Sequence, residues 1–229
     1  MLSLLSISLY LVAFAQVALL RSVQRGSSSQ TVFVNDVKVP VVLGVMSRCP
    51  DALLCESVWD HVLQRVGDKV NISLSFIARL NPSDEAYGVT CMHGVEECAG
   101  NVHELCVAKY HPTSEWWSFL ECENYQGSDK VGLPETAAKC AEAAGFDWEN
   151  DKAHQCAGDN GQGLEGAQLL RESVGTSLEL GIKKSCTIII NGKQVCIHDG
   201  TWYECEGGHT PADFIRQINE EYEHLNRAD

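Results

Sequence analysis

Cys49 is the residue best placed to do chemistry. It follows a run of β-branched and apolar residues, Val37 to Met46, that reads as a buried strand. After it, Ala52, Leu54/Cys55, Val58/Trp59, Val62/Leu63 and Val66 recur at helical spacing, so a helix is expected from Pro50 to about Val66. Pro50 suits the first helical position. A cysteine at such a junction meets the unpaired N–H groups and the positive end of the helix dipole, which favour negative charge on its sulfur. Arg48 adds positive charge nearby, and Asp51, one turn in, works against it. The thiolate is the species that attacks disulfides. The chemistry this position suits is thiol–disulfide exchange; the plain alternative is an inert buried cysteine or a structural disulfide.

Exchange needs a second sulfur. A Cys-x-x-Cys pair would put it at position 52, but that residue is Ala52. The next thiol is Cys55, and six helical residues rise about 9 Å. Disulfide-bonded Cα atoms sit about 4.4–6.8 Å apart, so Cys49 and Cys55 can bond only across an irregular helix start. Cys186 is the better partner. It directly precedes Thr187–Ile197, which reads as a hairpin turning on Asn191-Gly192, the two positive-φ residues of a type I′ turn. Counting back from that turn places Thr187 opposite Cys196 and Cys186 opposite Ile197. Cys186 and Cys196 then point to opposite faces and should not bond each other. We expect Cys186 to meet Cys49 as a redox pair, with Cys55 the second choice.

The elements that must position these residues follow a recognisable order. Val70 to Ala78 alternates as a second strand, and strand–helix–strand at this spacing implies a parallel pair with a right-handed crossover. From about 81 to 162 no good strand is seen. That stretch carries helical patches at Glu115–Glu123, Glu135–Ala144 and Trp148–Gln155, and six of the eleven cysteines. Trp116-Trp117 there reads as core. Gly166 to Leu180 is helical, the hairpin follows, and Thr210-Pro211-Ala212-Asp213 opens a last helix with Thr210 as its cap. This is the element order of an α/β, thioredoxin-like fold with a disulfide-rich helical insertion between the second strand and the following helix.

Composition bounds the setting. The 229 residues carry 31 acidic and 17 basic side chains, a net charge of −14, and show no basic block. A polyanion would be repelled, so nucleic acid is not an expected partner. Eleven cysteines suit an oxidising compartment, and the odd number leaves at least one thiol without an internal partner. From Leu2 to Leu20 no residue is charged. Segment 1–29 reads either as a cleaved signal peptide, which Ala13-Phe14-Ala15 would suit, or as a membrane anchor with a polar linker, which its length would suit. Both place residues 30–229 in the secretory lumen. Asn71-Ile72-Ser73 is then a glycosylation acceptor, whereas Asn81-Pro82-Ser83 is excluded by its proline.

A second constellation lies inside the insertion. Cys91, His93, Cys98, His103 and Cys106 fall within sixteen residues. They could hold zinc, but the cysteine spacings do not fit a Cys-x₂₋₄-Cys knuckle, and disulfides are the better reading. Cys122, Cys140, Cys156 and Cys205 are expected to join that framework. No cofactor is expected. The pattern Cys91-x-His93-Gly94-x-x-Glu97-Cys98-x-x-Asn101-x-x-x-x-Cys106 resembles the signature of the gamma-interferon-inducible lysosomal thiol reductase family at every fixed position. The resemblance implies a thioredoxin-like, lysosomal or secreted protein that reduces protein disulfides at acid pH through a Cys-x-x-Cys pair. This chain departs from the family twice. Cys49-Pro50-Asp51-Ala52 lacks the second cysteine, and the position of the family's cis-proline, beside the redox pair, falls on Cys186. The thiol lost at 52 and the one gained at 186 could compensate. The same departures leave a non-catalytic binding or scaffold protein as the alternative.

Overall fold

The computed structural model describes residues 36–227. Segment 1–29, with its signal or anchor reading, lies outside the described residues. In chain order the elements are β1 (Val39–Val45), α1 (Pro50–Val66), β2 (Val70–Phe76), β3 (Arg79–Leu80), β4 (Val89–Thr90), α2 (Val95–Tyr110), α3 (Thr113–Gln126), α4 (Pro134–Ala144), α5 (Lys152–Ala157), α6 (Leu164–Glu179), β5 (Thr187–Ile190), β6 (Lys193–His198), β7 (Trp202–Tyr203) and α7 (Pro211–Leu225).

The sheet has the order β2-β1-β5-β6-β7. β1 is an interior strand, with Val39, Val41, Leu43 and Val45 fully buried on one face and Val42 and Gly44 covered on the other. It pairs parallel with β2, from Val39↔Val70 to Val45↔Phe76, as the strand–helix–strand spacing predicts. β5, buried along its whole length, runs antiparallel to β1 on the other side. α6 is fastened to β2 through hydroxyls: Ser173 Oγ accepts from Phe76 N at 2.8 Å, and the Ser75 and Ser177 hydroxyls meet at 2.7 Å. α7 lies against α1, with Trp59 stacked on Phe214 at 5.4 Å. Its start is the expected capping box: Thr210 Oγ1 accepts from Asp213 N, and the Asp213 carboxylate accepts from Thr210 N.

The insertion between β2 and α6 holds α2 to α5 and the small β3–β4 ribbon. Its longest helix, α2, is missing from the patches read in the sequence. The reason is chemical. Glu97, Asn101, His103 and Glu104 occupy buried positions on α2, so polar residues interrupt the apolar period that would have revealed it. An aromatic stack fills the far side, with Phe119 6.2 Å from Phe146 and 6.0 Å from Trp148. Trp116 and Trp117 are core residues, as expected.

The hairpin differs from the simple count. Asn191 and Gly192 have the positive φ values of the expected turn, 48° and 76°. A bulge then places Val195 between Gln194, which pairs with Ile189, and Cys196, which pairs with Ile188. Every later pair shifts by one residue. Thr187 therefore faces Ile197, and Cys186 exchanges both backbone hydrogen bonds with His198, at 2.8 and 2.9 Å. A two-residue turn fixes register only as far as the first bulge, which a sequence count does not see.

Candidate active site

Cys49 caps α1 in an extended conformation, followed by Pro50 at the first helical position. Its N–H donates to Met46 O at 2.9 Å and its carbonyl accepts from Leu53 N at 3.2 Å. The residue is 6 % exposed. Its thiol has two acceptors within reach, Ser185 O at 3.9 Å and Asp51 Oδ2 at 4.0 Å. The Ser185 hydroxyl in turn accepts from Met46 N at 3.1 Å, tying the loop before β5 to the end of β1.

The expected Cys49–Cys186 bond is not formed. Cys186 is bonded to Cys55, their Cα atoms 6.2 Å apart, and Cys49 is a free thiol. Both bonded cysteines are fully buried. Cys55 lies on the face of α1 turned to the core, among Ala52, Trp59 and Val62, and this face meets Cys186, the residue before β5. Cys49, at the mouth of the helix, reaches the chain one residue earlier, at Ser185. The Ser185–Cys186 peptide bond is cis. The three predicted cysteines therefore do converge on one corner, with roles redistributed: a free sulfur at the helix start and a disulfide behind it.

A polar pair completes that corner, and the sequence reading missed it. Because the bulge sets His198 opposite Cys186, the two share a face of the sheet, and His198 turns toward the start of α1. His198 Nδ1 lies 2.8 Å from Asp51 Oδ1, within ion-pair range but out of line for a hydrogen bond. Gly200 N donates to the same Oδ1 at 2.8 Å. Trp202 sets its ring edge-on to His198 at 4.7 Å. Arg48, expected to add charge beside Cys49, is instead spent on the insertion: its guanidinium donates to Val131 O at 2.9 Å and Asp129 O at 3.2 Å, with Glu96 at 3.9 Å.

The signature residues brace the loop that leads into Cys49. Ser47 N donates to Asn101 Oδ1 at 3.1 Å, and Ser47 Oγ donates to Glu97 O at 3.2 Å. Asn101 also reaches Cys91 Sγ. Glu97, fully buried, accepts from His93 N and meets the His93 ring. Gly94 caps α2 at φ 96°, ψ −174°, a conformation open in practice to glycine alone. Cys91 bonds Cys98, and Cys106 bonds Cys156, so the zinc reading loses its thiolate ligands. Among the described residues no cluster of three such groups could hold a metal ion. Cys122 bonds Cys140 as part of the insertion framework. Cys205 does not join that framework: it closes the hairpin region by bonding Cys196. Neither Cys186 nor Cys196 bonds the other, although the bulge removes the register argument offered for it.

Behind α1 lies a seam of buried acids. Burial pushes the Glu56 carboxyl up to about 8, although Asn124 donates to it at 2.6 Å. Burial, with repulsion from Glu56, pushes Glu123 up to about 8. Burial and three neighbouring carboxyls raise Glu104 well above the ordinary range. Burial, aided by His154, lowers His103 to about 4. Between about pH 4 and neutral pH these groups are neutral in the fold, which is how a protein interior tolerates them.

Comparison with known proteins agrees with this geometry. Residues 40–144 match the protein-family model for Gamma interferon inducible lysosomal thiol reductase (GILT). No curated protein matches the chain. Among solved structures, BdbD from Bacillus subtilis, oxidised, is similar over 81% of this chain and 88% of that one, at 15% identity and a TM-score of 0.56. DsbA from Mycobacterium tuberculosis, oxidised, is similar over 82% and 85%, at 16% identity and 0.54. The MdbA protein, a thiol-disulfide oxidoreductase from Corynebacterium diphtheriae, is similar over 79% and 83%, at 14% identity and 0.53. The chain thus has a thioredoxin-like α/β fold of the kind found in DsbA-type oxidoreductases, and its residues 40–144, which hold the cysteine signature, are similar to the gamma-interferon-inducible lysosomal thiol reductase family.

Proposed function

We propose that the protein is a thiol–disulfide oxidoreductase of the secretory lumen that reduces protein disulfides through Cys49. The observation that carries this reading is a free cysteine at a helix mouth, in contact with the residue next to a buried disulfide. In the working form Cys55 and Cys186 are reduced. The Cys49 thiolate attacks one sulfur of a substrate disulfide, forming a mixed disulfide and releasing the other sulfur as a thiolate that takes up a proton. Cys186 then attacks Cys49 Sγ, releasing the second substrate thiol and leaving Cys49 bonded to Cys186. Cys55 attacks Cys186 Sγ and frees Cys49. The substrate gains two electrons and two protons; the Cys55–Cys186 dithiol loses them. The arrangement in the structure is the oxidised end of this cycle, and a small-molecule thiol of the lumen resets it.

Five disulfides support an oxidising compartment, and the family resemblance supports a lysosome-like one. Asn71 is exposed on the edge strand β2, a placement that suits a glycan. Anchoring through segment 1–29 and disulfide-bonded protein substrates belong to the same proposal. Reduction of insulin disulfides, driven by a small thiol and followed from acid to neutral pH, tests it. Cys49→Ser should lose about a hundredfold or more of the rate; equal rates for both proteins would end the proposal. The near-complete burial of all three cysteines favours one competing reading, a non-catalytic scaffold. That reading requires that no thiol alkylate in the native protein.

A further inference from the structure

We propose that Asp51 is a catalytic base for the Cys49 thiol and that His198 is the residue that positions it. The proposal rests on the reading of Cys49 as the attacking thiol. From sequence alone Asp51 is only a nearby negative charge, a hindrance to a thiolate. The geometry points elsewhere. The two carboxylate oxygens of Asp51 have separate neighbours. Oδ1 is fixed by Gly200 N and by His198 Nδ1, each at 2.8 Å. Oδ2 faces Cys49 Sγ at 4.0 Å.

His198 has little other employment. Its side chain is 7 % exposed, and its Nδ1 has no aligned hydrogen bond. A buried ring nitrogen without an aligned partner is costly unless something uses it. Trp202 closes one side of the ring at 4.7 Å, and His209 stacks on the far face of the same indole at 5.3 Å. The main chain of His198 is hydrogen-bonded to Cys186. The position of the ring is therefore set by the strand that carries the buried disulfide. The other charged groups at this corner are engaged. Lys184 pairs with Asp199, and Arg48 is bonded to the 129–131 loop with Glu96 beside it.

The step is a proton transfer. The Asp51 carboxylate takes the proton from Cys49 Sγ on Oδ2, giving a thiolate and a carboxylic acid. When the thiolate has attacked a substrate disulfide, the departing sulfur takes that proton from Oδ2, and the carboxylate is restored. No electrons move in either transfer. A carboxylate is a weaker base than a thiolate, so the benefit is greatest in acid, where little thiolate would otherwise exist.

Two readings of Asp51 predict opposite signs. The rate of Cys49 alkylation by iodoacetamide, measured between pH 4.5 and 8 on the native protein, separates them. If Asp51 is the base, Asp51→Asn alkylates about tenfold more slowly than wild type near pH 5, and the gap closes as pH rises. His198→Leu, which keeps volume but loses the ring nitrogen, shows the same acid-side loss. His198→Asn, whose amide can stand where Nδ1 stood, restores most of it. If Asp51 only repels the thiolate, Asp51→Asn reacts faster, and the proposal falls; equal rates overturn it as well. Asp51 lies on the partly exposed start of α1, so Asp51→Asn decides the question even if the buried His198 variants fail to fold. Alkylation is read without turnover. A relay that works in a protein unable to reduce insulin, or a reducing protein with no relay, would each be seen separately.

Discussion

The core and the insertion use cysteine in opposite ways. In the insertion, Cys91–Cys98, Cys106–Cys156 and Cys122–Cys140 bond helices or loops to their neighbours, and no free sulfur stands beside them. In the core, Cys55–Cys186 joins the helix that begins at a free thiol to the strand next to it. Polar groups follow the same division. Around the core corner, Asp51 and Ser185 present acceptors to the Cys49 sulfur, and His198 stands beside Asp51. Inside the insertion, Glu97 and Asn101 satisfy backbone groups, while Glu104 and Glu123 are buried with Glu56 of α1. A cysteine pair becomes a redox candidate less by its own geometry than by an unpaired sulfur and proton acceptors within reach of it.

Breaking one disulfide of each kind should sharpen that contrast most. Cys186→Ser should cost about a hundredfold or more in steady-state disulfide reduction, because it removes the resolving sulfur. Cys122→Ser with Cys140→Ser should leave the reaction rate per folded molecule unchanged and lower stability by about 2–5 kcal/mol, read by denaturant unfolding.

The acid seam should make stability depend on pH in a defined direction. Glu56 and Glu123 have carboxyls raised from 4.5 to about 8 in the fold, and Glu104 is raised too. Their contribution is complete below about pH 4.5 and is lost as pH climbs through about 8. His103 acts the other way: lowered from 6.5 to about 4, it contributes above pH 6.5 and loses its contribution as pH falls through about 4. Three carboxyls outweigh one imidazole, so the unfolding midpoint should be higher at pH 5 than at pH 8. Glu104→Gln should flatten that slope. A midpoint that rises toward pH 8 would show the acids to be ionised in the fold.

Asn101→Ala tests the bracing of the redox corner by the insertion. It strands Ser47 N, which should cost about 1–3 kcal/mol and slow Cys49 alkylation through a looser loop. Unchanged alkylation would confine Asn101 to stability. The smallest effect is expected at the α7 cap, where Thr210→Ala costs about 1 kcal/mol with no change at Cys49.

Much of the fold was legible because the core obeys simple periods. The continuous β-branched run at β1, the helical stripe of α1, the Asn191-Gly192 turn and the capping box of α7 each declare themselves locally. The insertion was legible only in part, because polar residues at buried positions hide the period of α2. The sequence paired Cys49 with Cys186, whereas the structure bonds Cys186 to Cys55 and leaves Cys49 free. Helix arithmetic correctly kept Cys49 from Cys55, but it did not ask which face of α1 meets Cys186. His198 was missed for one reason, the Val195 bulge, which moves it opposite Cys186. A second strand residue beyond Cys196 would have been suspected only by trying both registers.

Trapping of the mixed disulfide tests the central claim most directly. Protein carrying Cys186→Ser, reduced and then exposed to a disulfide substrate, should keep the substrate bonded to Cys49, since Cys55 lies six helical residues away and cannot reach it. Peptide mapping that finds the substrate on Cys49 in this variant, and not in wild type, is the predicted result. Substrate bonded to another cysteine, or no adduct while wild-type turnover continues, would contradict the account.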